Sequence, residues 1–235
     1  MKIINLGSSM YTNYLVETST GCLLIDAGNN TTFENFEKKL LKSGHNISDI
    51  KFVFITHSHA DHLSYLADFV NSSEVIVLAH SIARERIEKG ENSPSIFTSK
   101  MFLKMSKFSA KFNILKTTWK PVKLESRMIE ADKNTDILRK NGFPFDIVCL
   151  SGHTLDSIGL LSDDGMMFVG DAIMNSFPSK NCLPLVFEDA EKFKASWKKI
   201  IDLKPSNIYL GHGKPVSLKK VIVKQKFAEE IKQMN

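Results

Sequence analysis

Disulfide chemistry is the first thing this chain lacks. Its 235 residues include three cysteines, Cys22, Cys149 and Cys182. They are odd in number, widely spaced and form no C-x-x-C pair, which excludes a disulfide framework and a thiolate metal site. Reduced, buried thiols in a cytoplasmic protein are expected instead. Long apolar runs are missing too: the longest, VIVLA at 75–79 and IVCL at 147–150, have the length of strands and are far too short to cross a bilayer. The opening MKIINLGSSMYTNYLVE contains no apolar h-region, so no secretory signal is expected. Acid is absent from one place. Residues 92–124 hold seven Lys and no Asp or Glu, leaving 24 basic against 26 acidic residues elsewhere. The net charge of +5 therefore belongs to one segment, and no nucleic-acid partner is expected of the protein as a whole. Linkers, repeats and low-complexity tracts are also lacking. A hydrophobic content of 43% is ordinary for a soluble globular protein, and the length allows one α/β domain or two small ones; a single domain over 1–235 is the expectation.

What is present reads as alternating strands and helices. KIINL, TNYLVE and GCLLID near the N-terminus have strand character, the last two joined like a hairpin. In TTFENFEKKLLKSG, Thr31 with Glu34 three residues on resembles a capping box. Phe33, Phe36, Leu40 and Leu41 share a helical face, and Gly44 suits the stop. KFVFI (51–55), EVIVLA (74–79), FDIVCL (145–150), SIGLL, MMFVGD and NIYL continue the strands. SIARERIEKG, 189–203 and about 217–233 are expected helices. Such alternation predicts an α/β fold with sheets covered by helices.

The chemistry gathers at strand ends. The stretch THSHADH packs His57, His59, Asp61 and His62 into six positions, in a chain with seven histidines. Burying such groups unpaired is costly, so a shared partner is implied. His153 follows FDIVCL, Asp171 ends MMFVGD and His212 ends NIYL. Strand ends can converge side chains on one point. One metal could take His57, His59 and His153, and a second Asp61, His62 and His212, with Asp171 between them. Imidazole and carboxylate donors with a position left for water suit zinc. His45 and His80 are expected to stay outside this set. Ser151 and Thr154 are expected to bond locally. Asp26 has two readings: a turn residue before Gly28, or a carboxylate orienting a ligand.

These residues carry a family resemblance. THSHADH is similar to the H-x-H-x-D-H signature of the metallo-β-lactamase-fold hydrolases. SGHT, VGDA and LGHGKP resemble the later motifs of that superfamily, in the same order, and TNYLVETSTGCLLIDAG resembles its N-terminal strand pair. The resemblance runs from about residue 3 to about 216. It implies a four-layer αββα sandwich with a two-metal site at one edge, holding two divalent ions: zinc first, iron or manganese as alternatives. It also implies a small-molecule substrate. Met174 stands where quorum-quenching lactonases carry a Tyr, and no Cys occupies a ligand motif. The resemblance is to the glyoxalase II and lactonase-like branch in general, and these departures leave the subfamily open.

The expected reaction is hydrolysis of an ester, lactone, thioester or amide, with Asp61 as proton carrier as well as ligand. A phosphodiesterase or nuclease on the same site, and a metal-dependent binding protein without turnover, are the alternatives. Residues 92–124 lie outside the family pattern. Phe97, Met101, Met105, Phe108, Phe112 and Leu115 recur at helical spacing beside a lysine stripe. A helical insertion is expected there, acting as a lid over the pocket, with contact to an anionic membrane surface as a variant. The sequence does not specify the oligomeric state.

Overall fold

The computed structural model describes residues 1–28, 31–92, 96–97, 118–179 and 181–231. The larger sheet contains β1 (Lys2–Asn5), β2 (Tyr14–Thr18), β3 (Gly21–Ile25), β4 (Ile50–Phe54), β5 (Ile76–Ala79) and β7 (Met128–Glu130), in that order. Its first three strands pair antiparallel and the remaining pairs are parallel. The second sheet has the order β12 (Asn207–Tyr209), β10 (Met166–Phe168), β9 (Ile158–Ser162) and β8 (Phe145–Cys149). There β10 and β12 are parallel, and β9 runs against both its neighbours. A two-stranded ribbon pairs β6 (Ile96–Phe97) with β11 (Val186–Phe187).

Strand alternation divides the core into layers. Tyr14, Val16, Leu23, Ile25, Phe52 and Phe54 turn inward to meet Phe145, Ile147, Leu160 and Phe168 of the facing sheet. Their sequence neighbours Leu15, Leu24 and Val53 turn outward, against Phe36 and Leu40 of α1 (Phe33–Lys42) and Leu66 and Phe69 of α3 (Leu66–Ser72). On the far side Met167 and Ile208 pack against Phe193, Trp197 and Ile200 of α6 (Ala190–Asp202) and Val221 of α7 (Leu218–Glu229). The result is a helix–sheet–sheet–helix sandwich, as expected from the sequence.

The helices begin where polar caps allow. Asp189 accepts from Lys192 N at 2.9 Å to start α6. Ser217 accepts from Lys220 N to start α7. For α1 the cap is Thr32, which accepts from Asn35 N, rather than the expected Thr31. Thr32 is the residue with extended backbone immediately before the first helical turn, the geometry a cap needs. The helix expected in SIARERIEKG is present as α4 (Ala83–Lys89), while short elements escaped the periodicity reading: α2 (Ala60–Leu63), α5 (Ile137–Lys140), β7 and the ribbon. Each is too short to show a full period.

Most of 92–124, where the helical insertion and lid are expected, lies outside the described residues. Phe97, expected to open the helical stripe, is instead in β6, paired with Val186. Its backbone is committed to a cross-strand ladder there.

Strand direction decides where chemistry can gather. β3 and β4 run parallel, and β8, β10 and β12 share one direction, so their C-terminal ends lie at a common edge of the sandwich. Backbone bonds stitch the two sheets together there. Ile158 N donates to Thr56 O at 2.8 Å, and Thr12 N to Gly211 O at 3.0 Å.

Candidate metal centre

All seven residues expected as ligands arrive at this edge. His57 and His59 follow β4, and Asp61 and His62 are redirected by the short α2. His153 follows β8, Asp171 lies in a 3-10 turn after β10, and His212 follows β12. Three groups have potential ligand atoms within 4.8 Å of one another: His57, His59 and His153; His57, His62 and Asp171; and Asp61, His62 and His212. His45 and His80 stay outside. His45 lies beside Glu17 and Asp49, and His80 beside Ser81 and Asp132.

The spacing within the cluster is that of a coordination shell. His153 Nε2 lies 3.1 Å from His59 Nδ1. His212 Nε2 lies 3.1 Å from Asp61 Oδ2 and 3.2 Å from Asp171 Oδ2. His62 Nε2 is 3.5 Å from Asp171 Oδ1, and His153 Nε2 is 3.8 Å from Asp171 Oδ2. Donors bound to zinc at ~2.0–2.1 Å in a tetrahedron lie roughly 3.3 Å apart.

Outer partners hold four of the five imidazoles by Nδ1 and turn Nε2 inward. His57 Nδ1 donates to Thr56 Oγ1 at 3.0 Å, and that hydroxyl donates on to Asp26. His62 Nδ1 donates to Asp26 Oδ2 at 2.7 Å. His153 Nδ1 meets Val186 O at 2.8 Å, and His212 Nδ1 meets Met10 O at 3.0 Å. A carbonyl can only accept, so these last two rings carry a proton on Nδ1 and aim Nε2 into the cluster. His59 is the exception and presents Nδ1. The Nε2 atoms of His57, His59 and His62 and Oδ1 of Asp171 are buried without a hydrogen-bond partner in the structure. Orphaned buried polar atoms are costly. Here those of His57, His62 and Asp171 converge on one another, which fits the cluster to a metal.

Two glycines leave room for this convergence. A Cβ on Gly28 would come within 2.5 Å of Asp61 O. One on Gly211 would collide with Asp171 Oδ1 and His62 Cε1.

Electrostatics divides the cluster in two. Burial, and then neighbouring imidazoles, push His57 well below its ordinary 6.5. Burial, then His153, pushes His59 down to about 3. His153 is lowered by burial, against Asp171 and its bond to Val186. For His62, burial acts downward, but the carboxylates of Asp26, Asp171 and Asp61 outweigh it and hold the ring well above 6.5. His212 follows the same rule: burial opposes, Asp171 and Asp61 prevail, and the ring is raised to about 10. Burial would raise the Asp171 carboxyl, yet His212 and His62 hold it well below the usual carboxylate range. Asp61 is likewise lowered, by His62 and His212 against burial. With its side chain 35% exposed, Asp61 is the carboxylate of the cluster that faces the mouth.

The structure settles the two readings of Asp26. It is buried, in left-handed backbone at φ +64, and binds Thr56 N, Thr56 Oγ1 and His62. It orients a ligand candidate. Ser151 and Thr154 bond locally, to Leu155 O and Ser157 Oγ.

One supporting group was not anticipated. Arg86 of α4 donates to Asp156 Oδ1 at 2.7 Å and to both oxygens of Glu188 at 3.0 Å. Asp156 Oδ2 accepts from Ser58 N, between His57 and His59. Glu188 accepts from Leu155 N, and its own N–H reaches His153 O. This partly buried triad braces the loops that carry His57, His59 and His153. A carboxylate three residues after His153 was its one sequence signal; Arg86 looked like a surface helix residue.

A pair of packed sheets with imidazoles and carboxylates converging at strand ends is the architecture of a metal-dependent hydrolase. The family model described as the metallo-beta-lactamase superfamily matches residues 9–212, and the chain belongs to that superfamily. Among relatives, it is 27% identical to the Probable metallo-hydrolase YqjP of Bacillus subtilis, over 92% of this chain and 71% of that one. The Beta-lactamase-like protein 2 homolog of Caenorhabditis elegans is 27% identical over 85% of this chain, and that of Drosophila melanogaster 37% identical over 28%. The chain spans only 55% and 21% of those two proteins. Among solved structures, an archaeal superfamily protein from Sulfolobus tokodaii has a TM-score of 0.66 at 21% identity, covering 97% of this chain and 84% of that one. TTHA1623, solved in a di-iron-bound form, has a TM-score of 0.58 at 20% identity, covering 94% and 96%. Among the described residues, no helix is long and apolar enough to cross a membrane.

Proposed function

We propose that this protein is a two-metal hydrolase acting on a small-molecule ester, lactone, thioester or amide. His57, His59 and His153 would hold one ion, and Asp61, His62 and His212 the other, with Asp171 shared between them. Zinc suits these nitrogen and carboxylate donors; iron is the alternative. The observation that carries the reading is the convergence of buried, unpartnered donor atoms from His57, His62 and Asp171 on one point. Divalent ions bound there would lower the pKa of water toward ~7 and polarise a carbonyl.

The protein's own groups do the rest. Val186 O, Met10 O, Asp26 and Thr56 hold four imidazoles by Nδ1 with Nε2 turned inward. Burial at the sheet edge keeps bulk water from the inner donors. Asp61, partly exposed and 3.1 Å from His212, is placed to carry a proton between the site and the leaving group.

The test is elemental analysis of protein purified without chelator, beside hydrolysis of p-nitrophenyl acetate, a lactone, an acyl thioester and bis-p-nitrophenyl phosphate. About two ions per chain and turnover of carbonyl substrates are expected. A single ion at saturation, or turnover of the phosphodiester alone, would sink the proposal.

A further inference from the structure

The turn between β1 and β2 does more than connect strands. Gly7 N donates to Asn5 Oδ1 at 2.9 Å and Asn5 Nδ2 to Ser8 O at 3.1 Å. Ser8 Oγ accepts from Met10 N and Tyr11 N, and Ser8 N donates to Tyr11 O at 2.7 Å. The turn is then tied to the opposite sheet. Thr12 donates through its backbone and hydroxyl to Gly211 O, and Met10 O receives His212 Nδ1. A loop held at this many points presents its side chains in one arrangement.

The side chain it presents at the cluster is Tyr11. Its ring lies edge-on to the His212 imidazole, with centroids 5.0 Å apart and planes at 73°. It is half-buried. Its hydroxyl makes no hydrogen bond among the described residues. By contrast, the Tyr65 hydroxyl is spent on Asn13 and that of Tyr209 faces Met166 Sδ. A phenol keeps its proton through the neutral range and serves as a donor. A preorganised donor beside a charge-developing centre is where electrostatic catalysis gains most.

We infer that Tyr11 is a catalytic residue whose phenolic O–H donates a hydrogen bond to the acyl oxygen of the substrate, on the His212 side of the cluster. This rests on the hydrolase reading above and names the donor that would meet the carbonyl of its substrate. No proton is transferred by Tyr11: the O–H bond stays intact while the acyl oxygen gains negative charge.

The experiment compares metal-loaded full-length wild type with Tyr11→Phe. It measures metal content, kcat and KM on p-nitrophenyl acetate, and calorimetric binding of benzoate, a carboxylate of the product class. Tyr11→Phe should keep its metal and lose about a hundredfold in kcat with KM little changed. Its benzoate affinity should fall about tenfold, the worth of one hydrogen bond. Both parameters within twofold of wild type would overturn the assignment. So would metal loss in Tyr11→Phe, which would make the residue structural, or wild type that neither turns over the ester nor binds benzoate. Wild type without turnover but with Tyr11-dependent benzoate binding would refute the hydrolase reading and the catalytic role with it, leaving Tyr11 as a donor to a bound carboxylate.

Discussion

The two halves of the cluster differ in charge, and the difference originates in their neighbours. His57, His59 and His153 are surrounded by one another and by apolar strand ends, so burial keeps them neutral. His62 and His212 are equally buried but face Asp26, Asp61 and Asp171, which hold them protonated without metal. Two sets of imidazoles, a few ångströms apart, thus have opposite responses to protons. A neutral trio is ready to bind a cation at once. A protonated pair must first release its protons.

The sharpest way to break this comparison is to remove what the halves share. Asp171→Ala takes a carboxylate from both, and metal content should fall at both while turnover drops to background. His57→Ala should instead deplete the neutral half selectively, leaving about one ion per chain by elemental analysis. Equal depletion by both variants would show that the halves are not separate sites.

Asp61→Asn ranks next. It keeps the shape, removes a charge and abolishes proton carriage. With metal content retained, kcat should fall about a hundredfold or more while KM changes little. Steady-state kinetics on the best carbonyl substrate checks this. A wild-type kcat in the fully loaded variant would remove Asp61 from the chemistry.

The supports give a smaller effect, distributed by half. Arg86→Lys keeps the charge but cannot fork to Asp156 and Glu188 together. Weakened bracing of the Ser58 and His153 loops should lower metal affinity of the neutral half about tenfold, and Asp26→Asn should do the same to the His62 half. Competition with a chromophoric chelator resolves the two steps.

Acid and base sharpen the comparison last. In the metal-free protein the neutral trio has folded values below 6.5, so the unfolded chain binds more protons below that pH. This stability is present above about pH 6.5 and is lost as pH falls toward the folded values, about 3 for His59. The His62 and His212 pair has raised values. Its stability is present below about 6.5 and is lost as pH rises, toward about 10 for His212. Urea unfolding of chelator-treated protein from pH 5 to 9 should therefore show greatest stability near 6.5. Zinc titration at pH 7 should release few protons for the first ion and up to about two for the second. Identical proton release at both steps would contradict the division.

Much of this was legible in one dimension because strands announce their own ends. A short apolar run followed within three residues by His57, His153 or His212 places a ligand candidate at a strand terminus, whatever the strand's neighbours are. The αββα layering was implied by the family resemblance of the motifs, since Leu23, Leu24 and Ile25 are all apolar and only the packed sheets show which of them turns inward. Arg86, Asp156 and Glu188 were not legible, because nothing local distinguishes an arginine bonded across the fold from a solvated one on the same helix. Most of 92–124 lies outside the described residues, so the lid expected there stays with the sequence reading.

The residue types of the site, their order and their strand-end positions were determined by sequence alone, since local periodicity sets where each strand stops. Only the tertiary structure decided which imidazole meets which carboxylate. Sheet order brings β4, β8, β10 and β12 to one edge, and the resulting neighbours, not the residue type, determine whether a buried histidine is neutral or charged. The same long-range packing set Tyr11 against His212, a pairing across 201 positions of chain that no pattern within the N-terminal turn could specify.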